Sequence, residues 1–330
     1  MVKTEAVAEV RPGQSLGVAR FARYAWGVLV YNVAVVLWGA YVRATGSGAG
    51  CGNHWPLCNG EVVPQLASVK RLIEFSHRAS SGVDTFLILG LVVWAYRAFP
   101  KHHAARLGAV LTATFLVTEA LLGAMLVKFG LVENNASPAR AFADAAHLVN
   151  TLTLLACLTL TVWWGSERPR LRIHGRGAWL AGISLASLVL LGITGVIAAL
   201  GDTLFPSTSL QEGLARDLDT TANVLLRLRL WHPMIAGATA AWLAFYALTS
   251  KSRKLAWAVS GVLAAQLFAG IINLVLLAPV WMQMLHLLLA DSLWISLVML
   301  CATNMAQPGP GIRNGSANRM PGPYKGTERA

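Results

Sequence analysis

The sequence carries little charge for its length. Only 13% of its 330 residues are charged, whereas a soluble protein of this size carries about a quarter. Hydrophobic residues make up 55% of the chain, so too few charged side chains remain to coat a water-facing surface. This composition excludes a disordered chain and argues against a set of soluble domains.

Cysteine is also scarce, and the positive charge is not clustered. Four cysteines in a chain of this length exclude a disulfide-stapled secreted domain. The net charge of +12 comes from basic residues in short bursts between long apolar runs. A nucleic-acid-binding protein needs a clustered and solvated basic face, so we expect no nucleic-acid partner. The class of protein that these exclusions leave is a chain embedded in membrane lipid.

Long apolar runs are what the sequence has in abundance. A spanning helix needs about 20 mostly apolar residues, and these runs lack the period-2 alternation of an outer-membrane barrel. We therefore predict an all-α polytopic membrane protein with eight transmembrane helices. The predicted spans are 22–43, 72–96, 106–128, 141–165, 177–200, 224–249, 255–278 and 281–305.

The basic residues predict the orientation of these spans. Eighteen of the 27 lysines and arginines fall on one side, which the positive-inside rule places in the cytoplasm together with both termini. Residues 1–21 form a cytoplasmic arm that contains Glu5 and Glu9. Transit peptides avoid acids, so we expect a bacterial plasma membrane. The tail at 306–330 is rich in Gly, Pro, Asn and Arg and is predicted to be a disordered cytoplasmic segment.

The eight spans divide into two halves, 22–165 and 177–305, joined by a cytoplasmic connection at 166–176. Four helices in each half give both halves the same orientation, which predicts two four-helix bundles related as a parallel repeat. Matching residues lie on corresponding helices. The pairs are Gly39 with Gly195, His77 with His232, Glu119 with Gln266, Gly123 with Gly270, and His147 with His286.

Four histidines lie within the predicted spans at one depth, on the order of 10 Å from the outer end. They are His77, His147, His232 and His286, one on each even-numbered span. A single histidine in a membrane is often an interhelical hydrogen-bond partner, but four at matched depth favour a bis-histidine heme site in each half. Zinc competes less well, because it usually takes three or four close ligands.

The two halves differ beside the first histidine. Glu74 lies three residues before His77 and shares its helix face, whereas Arg229 holds this place before His232. A carboxylate in an apolar site can move protons, and the alternative is a structural pairing with Arg71 or Arg78. We expect Arg229 and Arg78 to contact heme propionates, although Arg229 can also snorkel to the surface.

Three other acids lie within the predicted spans, and two cysteines lie in the first outer connection. For Asp84, Glu119 and Asp291 an interhelical hydrogen bond is favoured over a proton path. Cys51 and Cys58 stand on the side where disulfides persist. They are either a structural staple or a redox-active dithiol, and the spacing does not separate the two.

Three motifs together resemble heme A synthase. Residues 43–48 read RATGSG, residues 51–58 read CGNHWPLC and residues 74–78 read EFSHR. The resemblance extends over residues 22–305 and implies oxidation of the C8 methyl of heme O to a formyl group, which gives heme A for cytochrome oxidase. It also implies eight spans in two four-helix halves.

The resemblance assigns roles to the candidate residues. His232 and His286 match the ligands of a heme b cofactor, and His77 and His147 match the ligands of the substrate heme. Glu74 matches a glutamate implicated in catalysis. Cys51 and Cys58 match the loop cysteine pair of the family, which implies a disulfide.

Two departures from the family pattern stand out. Residues 201–223 contain no cysteine, whereas some members carry a second cysteine pair there, and His54 stands beside a position that is often acidic. The partners expected from the reaction are a heme O synthase, a quinone or other electron acceptor, and a thiol-disulfide oxidoreductase. The alternatives are a diheme b-type electron-transfer cytochrome and a proton-coupled repeat transporter.

Overall fold

The computed structural model describes residues 12–65 and 68–307, and its regular secondary structure there is entirely helical. The ten helices of these residues are α1 (Pro12–Ala44), α2 (Val69–Ala98), α3 (Ala104–Lys128), α4 (Pro138–Gly165), α5 (Arg176–Leu204), α6 (Leu210–Leu218), α7 (Val224–Arg229), α8 (Trp231–Leu248), α9 (Arg253–Val275) and α10 (Val280–Met305). The first residues of the predicted arm, 1–11, and nearly all of the predicted tail, 308–330, lie outside the described residues.

Seven of these helices are long and apolar enough to cross a membrane, and the chain is a multi-pass membrane protein. They are α1 to α5, α9 and α10, and they coincide with seven of the eight predicted runs. Six of them begin one to three residues before their predicted starts, and α1 begins ten residues before its predicted start, because polar first turns carry little hydropathic signal.

The eighth predicted run, 224–249, is not one continuous helix. Leu230 separates α7 from α8, and the 18-residue α8 is not among the seven candidate spans. The break has a local cause at Pro233, which lacks the N–H that a continuous helix would bond to Arg229, and whose ring would clash there. The prediction of a single helix is therefore wrong at this position, and the break lies directly beside His232.

The helices pack as antiparallel neighbours around a core that both halves share. Contacts join α1 with α2, α3 with α4, α5 with α8 and α9 with α10, while α4, α5 and α10 contact one another. The buried core includes Leu155 of α4, Leu188 of α5 and Leu297 of α10. The indole of Trp294 donates a buried hydrogen bond of 2.7 Å to the carbonyl of Leu152, which ties α10 to α4.

Each of the four intramembrane histidines lies against a glycine of a neighbouring helix. A methyl group built on Gly39 would lie 3.0 Å from Cε1 of His77, so only glycine leaves room for the ring. The same tight contact recurs between Gly195 and His232 at 3.0 Å and between Gly270 and His286 at 3.1 Å, whereas a methyl group on Gly123 would make only ordinary van der Waals contact with His147, at 3.9 Å. Glycine thus permits the close approach of three of the four histidine-bearing helices to their neighbours.

We expect Gly39→Val to lower the thermal unfolding midpoint of the protein in detergent. The added side chain would collide with the imidazole of His77, and overpacking of this kind costs about 1–3 kcal/mol. Gly182→Val is the matched control, because a Cβ there meets nothing within 4 Å on an exposed face of α5. Equal midpoints for the two variants would contradict the close packing of Gly39 against His77.

Candidate functional site

The structure brings the four histidines together in two pairs. His77 of α2 lies within electrostatic range of His147 of α4, and His286 of α10 lies within range of His232 of α8. All four rings are half-buried. Each half therefore offers two imidazoles from two different helices.

The ring nitrogens of these histidines differ in their partners. Nδ1 of His232 lies 3.1 Å from the hydroxyl of Thr194, while Nδ1 of His77 and Nδ1 of His286 are buried without a hydrogen-bond partner among the described residues. An unpaired buried nitrogen is costly. The second histidine of each half also meets a side chain of the preceding helix, which is described below.

Glu74 is buried beside His77 and held from two directions. Its side chain is only 3% exposed. The backbone N–H of Cys51 donates to one carboxylate oxygen at 2.7 Å, and the guanidinium of Arg78 donates to the other at 2.5 Å. The pairing with Arg78 that the sequence offered as an alternative is therefore present, and it holds the carboxylate at the depth of the histidine.

The first outer connection is fastened to the same helix. Cys51 and Cys58 form a disulfide and are both buried. The guanidinium of Arg78 also donates to the backbone carbonyls of His54 and Leu57, at 2.5 and 2.7 Å. Arg78 thus contacts the cysteine loop and Glu74 at once, so the loop, the carboxylate and the histidine helix form one unit. The imidazole of His54 has no assigned role in it.

Arg229 ties the connection between α5 and α7 to its half. Its Nη2 donates to Asp217 of α6 at 2.6 Å, and its Nη1 donates to Asp202 of α5 at 2.6 Å. Arg229 and Glu74 occupy the equivalent position, three residues before a histidine. One half therefore binds its outer connection through a carboxylate and the other through a guanidinium.

The short helix α6, which the sequence analysis did not anticipate, presents Asp217 to Arg229. Ser209 caps its first turn by accepting a hydrogen bond from the N–H of Glu212. The hydroxyl and the amide of Thr208 donate to Glu212 and hold the pKa of that carboxyl below its ordinary value. A capping serine with a glutamate three residues later is the sequence signal that identifies this helix.

Glu119 of α3 contacts the second histidine of the first half. One carboxylate oxygen lies 3.2 Å from Nε2 of His147. The amide of Asn150 donates to the other oxygen at 2.6 Å, and the hydroxyl of Thr151 donates to the oxygen that faces the histidine. The interhelical hydrogen bonding expected for Glu119 is thus present, and it reaches the candidate site.

The two remaining intramembrane acids are both buried. Asp84 accepts a hydrogen bond of 2.6 Å from the amide of Asn32 on α1. Asp291 is 2% exposed, and its Oδ2 has no hydrogen-bond partner among the described residues. The interhelical bond predicted for Asp84 is present, whereas no such bond is found for Oδ2 of Asp291.

Arg43 is a site residue that the sequence analysis left without a role. Its guanidinium donates to the carbonyl of Ala199 at 2.9 Å, to the hydroxyl of Thr203 at 3.1 Å and to the side chain of Gln283 at 3.2 Å. These partners belong to α5 and α10, so the end of α1 is joined to the second half. The position of Arg43 at the end of an apolar run could have predicted this role, because an arginine there must find buried acceptors.

The donor set fits two hemes. Over residues 12–65 and 68–307, no group of three or more His, Cys, Asp and Glu is placed to hold a metal ion, and the histidines come in twos. Two facing imidazoles are the ligands of a bis-histidine heme, whereas zinc takes three or four. Glu74 stands three residues before His77 where Arg229 stands before His232, so the two pairs differ in the charge of this neighbour.

The family comparison agrees with this arrangement. The family model described as cytochrome oxidase assembly protein, COX15-CtaA, matches residues 22–298. That match covers both histidine pairs, the cysteine loop and Glu74.

Several curated relatives are similar to parts of the chain. A protein of Thermus thermophilus named protoheme IX farnesyltransferase is 49% identical over 270 residues, which are 79% of this chain and 44% of that protein. A protein of Halalkalibacterium halodurans named heme A synthase is 38% identical over 145 residues, which are 44% of this chain and 47% of that protein. Another of that name, from Bacillus licheniformis, is 44% identical over 96 residues, which are 29% of this chain and 32% of that protein. The chain thus spans less than half the length of each. The extent of the family match shows that the chain belongs to the heme A synthase family of cytochrome oxidase assembly proteins.

Proposed function

We propose that the protein is a heme A synthase, a membrane oxidoreductase that oxidises the C8 methyl group of heme O to a formyl group. The observation that carries this proposal is the unequal pair of sites. Two histidine pairs occupy equivalent helix positions, but the residue three positions before the first histidine is the buried carboxylate Glu74 in one half and the guanidinium Arg229 in the other. A reaction at one heme with electron transfer through the other needs such a difference.

The proposal gives each pair a role. His77 and His147 hold the substrate heme O, and His232 and His286 hold a resident heme b, which passes electrons onward when bound. Support comes from the pairing of these imidazoles between helices and from the glycines that leave room for each ring.

The proposed halves are residues 22–165 and 177–305, joined at 166–176, with α7 and α8 together as the sixth crossing. Their 25 residues extend about 37 Å if helical throughout, more than the hydrocarbon core of a bilayer.

Glu74 is the proposed proton-transferring residue. With water as the oxygen donor, conversion of a methyl to a formyl group releases four electrons and four protons, and these protons require an exit. The N–H of Cys51 and the guanidinium of Arg78 fix both carboxylate oxygens, so the acid is already oriented beside His77. The loop closed by Cys51 and Cys58 covers Glu74 and limits the access of water.

Arg78 and Arg229 remain proposed contacts of the heme propionates. Both guanidiniums already have protein partners, in Glu74 and the cysteine loop for Arg78 and in two aspartates for Arg229. A guanidinium carries five N–H donors, so each can hold a propionate in addition.

The surroundings of the protein are also part of the proposal. The proposed location is the bacterial plasma membrane. Both termini then lie in the cytoplasm, as the distribution of basic residues predicts. A heme O synthase is the proposed source of the substrate. The relative named for farnesyl transfer to protoheme IX supports this partner, because 270 of its residues resemble this chain. A quinone or similar acceptor takes the electrons, and a thiol-disulfide oxidoreductase forms the cysteine pair.

Expression in bacterial cells that make heme O but lack heme A synthase tests the reaction. We expect heme A to appear in the extracted pigments, because the chain supplies the missing oxidation. The double variant His77→Ala, His147→Ala is the control and should leave heme O unconverted. A heme-loaded wild-type protein that leaves only heme O would contradict the synthase and favour a diheme electron-transfer cytochrome.

Glu74→Gln tests the proton-transferring role. We expect heme A production to fall about 100-fold while heme content stays normal, since proton transfer by a placed side chain contributes about 10²–10⁴-fold to a rate. Glu61→Gln is the matched control, because this acid lies exposed in the same outer connection. Full heme A production by Glu74→Gln would show that Glu74 does not carry the proton.

A further inference from the structure

The second histidine of each half meets a side chain from the same place on the neighbouring helix. Glu119 of α3 lies 3.2 Å from Nε2 of His147, and Gln266 of α9 lies 3.2 Å from Nε2 of His286. Both stand four residues before the glycine that accommodates the histidine ring. The two contacts are therefore equivalent in position and differ in charge.

The first half builds a polar cluster around its carboxylate. Asn150 and Thr151, three and four residues after His147, both donate to Glu119. The hydroxyl of Thr118 donates to Oδ1 of the Asn150 side chain at 2.6 Å and orients that amide toward the carboxylate of Glu119. Hydrogen bonds from neutral donors offset the cost of a charge away from water.

The second half has none of these donors. Leu289 and Ala290 stand three and four residues after His286, and Ala265 precedes Gln266 where Thr118 precedes Glu119. Those positions are apolar, and the residue that contacts the histidine is neutral. One half is thus equipped to hold a negative charge against its histidine, and the other is not.

We propose that Glu119 is a positioning residue that orients His147 and lowers the reduction potential of the heme in the first half below that of the heme in the second half. This inference rests on the proposed function. A negative charge near the iron stabilises the ferric form, which carries one more positive charge than the ferrous form. A hydrogen bond from a ligating imidazole to a carboxylate also makes that ligand more basic.

The difference gives electron flow a direction. With both sites loaded, an electron from the first site would move toward the second site at the higher potential, so Glu119 would favour transfer in that direction. Glu74 is paired with Arg78 and Arg229 with two aspartates, and these ion pairs do not change when Glu119 or Gln266 is replaced. Exchange of the two side chains therefore isolates their contribution.

The test is a spectroelectrochemical titration of the full chain in detergent, loaded with protoheme in both sites. We expect Glu119→Gln to raise the lower midpoint potential and to leave the higher one in place. The expected size is at least a tenfold change in the ferrous-to-ferric ratio, which is 59 mV for one electron. Glu119→Asp keeps the charge and should stay close to the wild type.

The reciprocal variant moves the other heme. Gln266→Glu combined with Leu289→Asn transfers the carboxylate and one of its donors to the second half, and should lower the higher potential while the lower one stays. If both hemes are bound and neither exchange moves a potential, the inference is wrong. If Glu119→Gln fails to hold heme, the reciprocal variant tests the inference alone. An unchanged higher potential in that variant then overturns the inference. A wild-type chain that takes up no heme would instead overturn the proposed function.

Discussion

The contact between an imidazole and a glycine on the neighbouring helix is the constraint on which the rest of the structure depends. It recurs tightly on three helix pairs and more loosely between Gly123 and His147, and it permits the close approach of those helices. A buried polar ring in a membrane needs room and a partner, and glycine gives the room without supplying the partner. One ring nitrogen of His147, of His232 and of His286 contacts a protein side chain, whereas Nδ1 of His77 and Nδ1 of His286 have no partner among the described residues.

On this shared scaffold the two halves differ in charge. Glu74 and Glu119 accompany the first histidine pair, whereas Arg229 and Gln266 occupy the equivalent places beside the second. The outer connections follow the same division. One is closed by a disulfide and bound to Glu74, and the other carries a short helix whose aspartate binds Arg229. Similar geometry with different electrostatics is what the proposed division between a substrate site and an electron-transfer site requires.

The sequence predicted what depends on local composition. Seven apolar runs are helices long and apolar enough to span a membrane, because length and hydropathy are local properties, whereas the break at Leu230 beside Pro233 in the eighth run was not predicted. The four histidines lie at equivalent positions on their helices, while their depth in the membrane and their ligand roles stay predictions. The partners of Arg229 and Arg43 could not be predicted, because they depend on the path of an outer connection and on the packing of one half against the other.

The absorption spectrum of the purified full chain tests the central claim most directly, namely that the paired histidines bind heme. The account predicts a Soret band with the sharp visible bands of low-spin heme in the dithionite-reduced protein. In the variant His232→Ala, His286→Ala the resident heme should be lost while the helical circular dichroism is kept. A colourless wild-type protein with intact helices, from cells that make heme, would contradict the account.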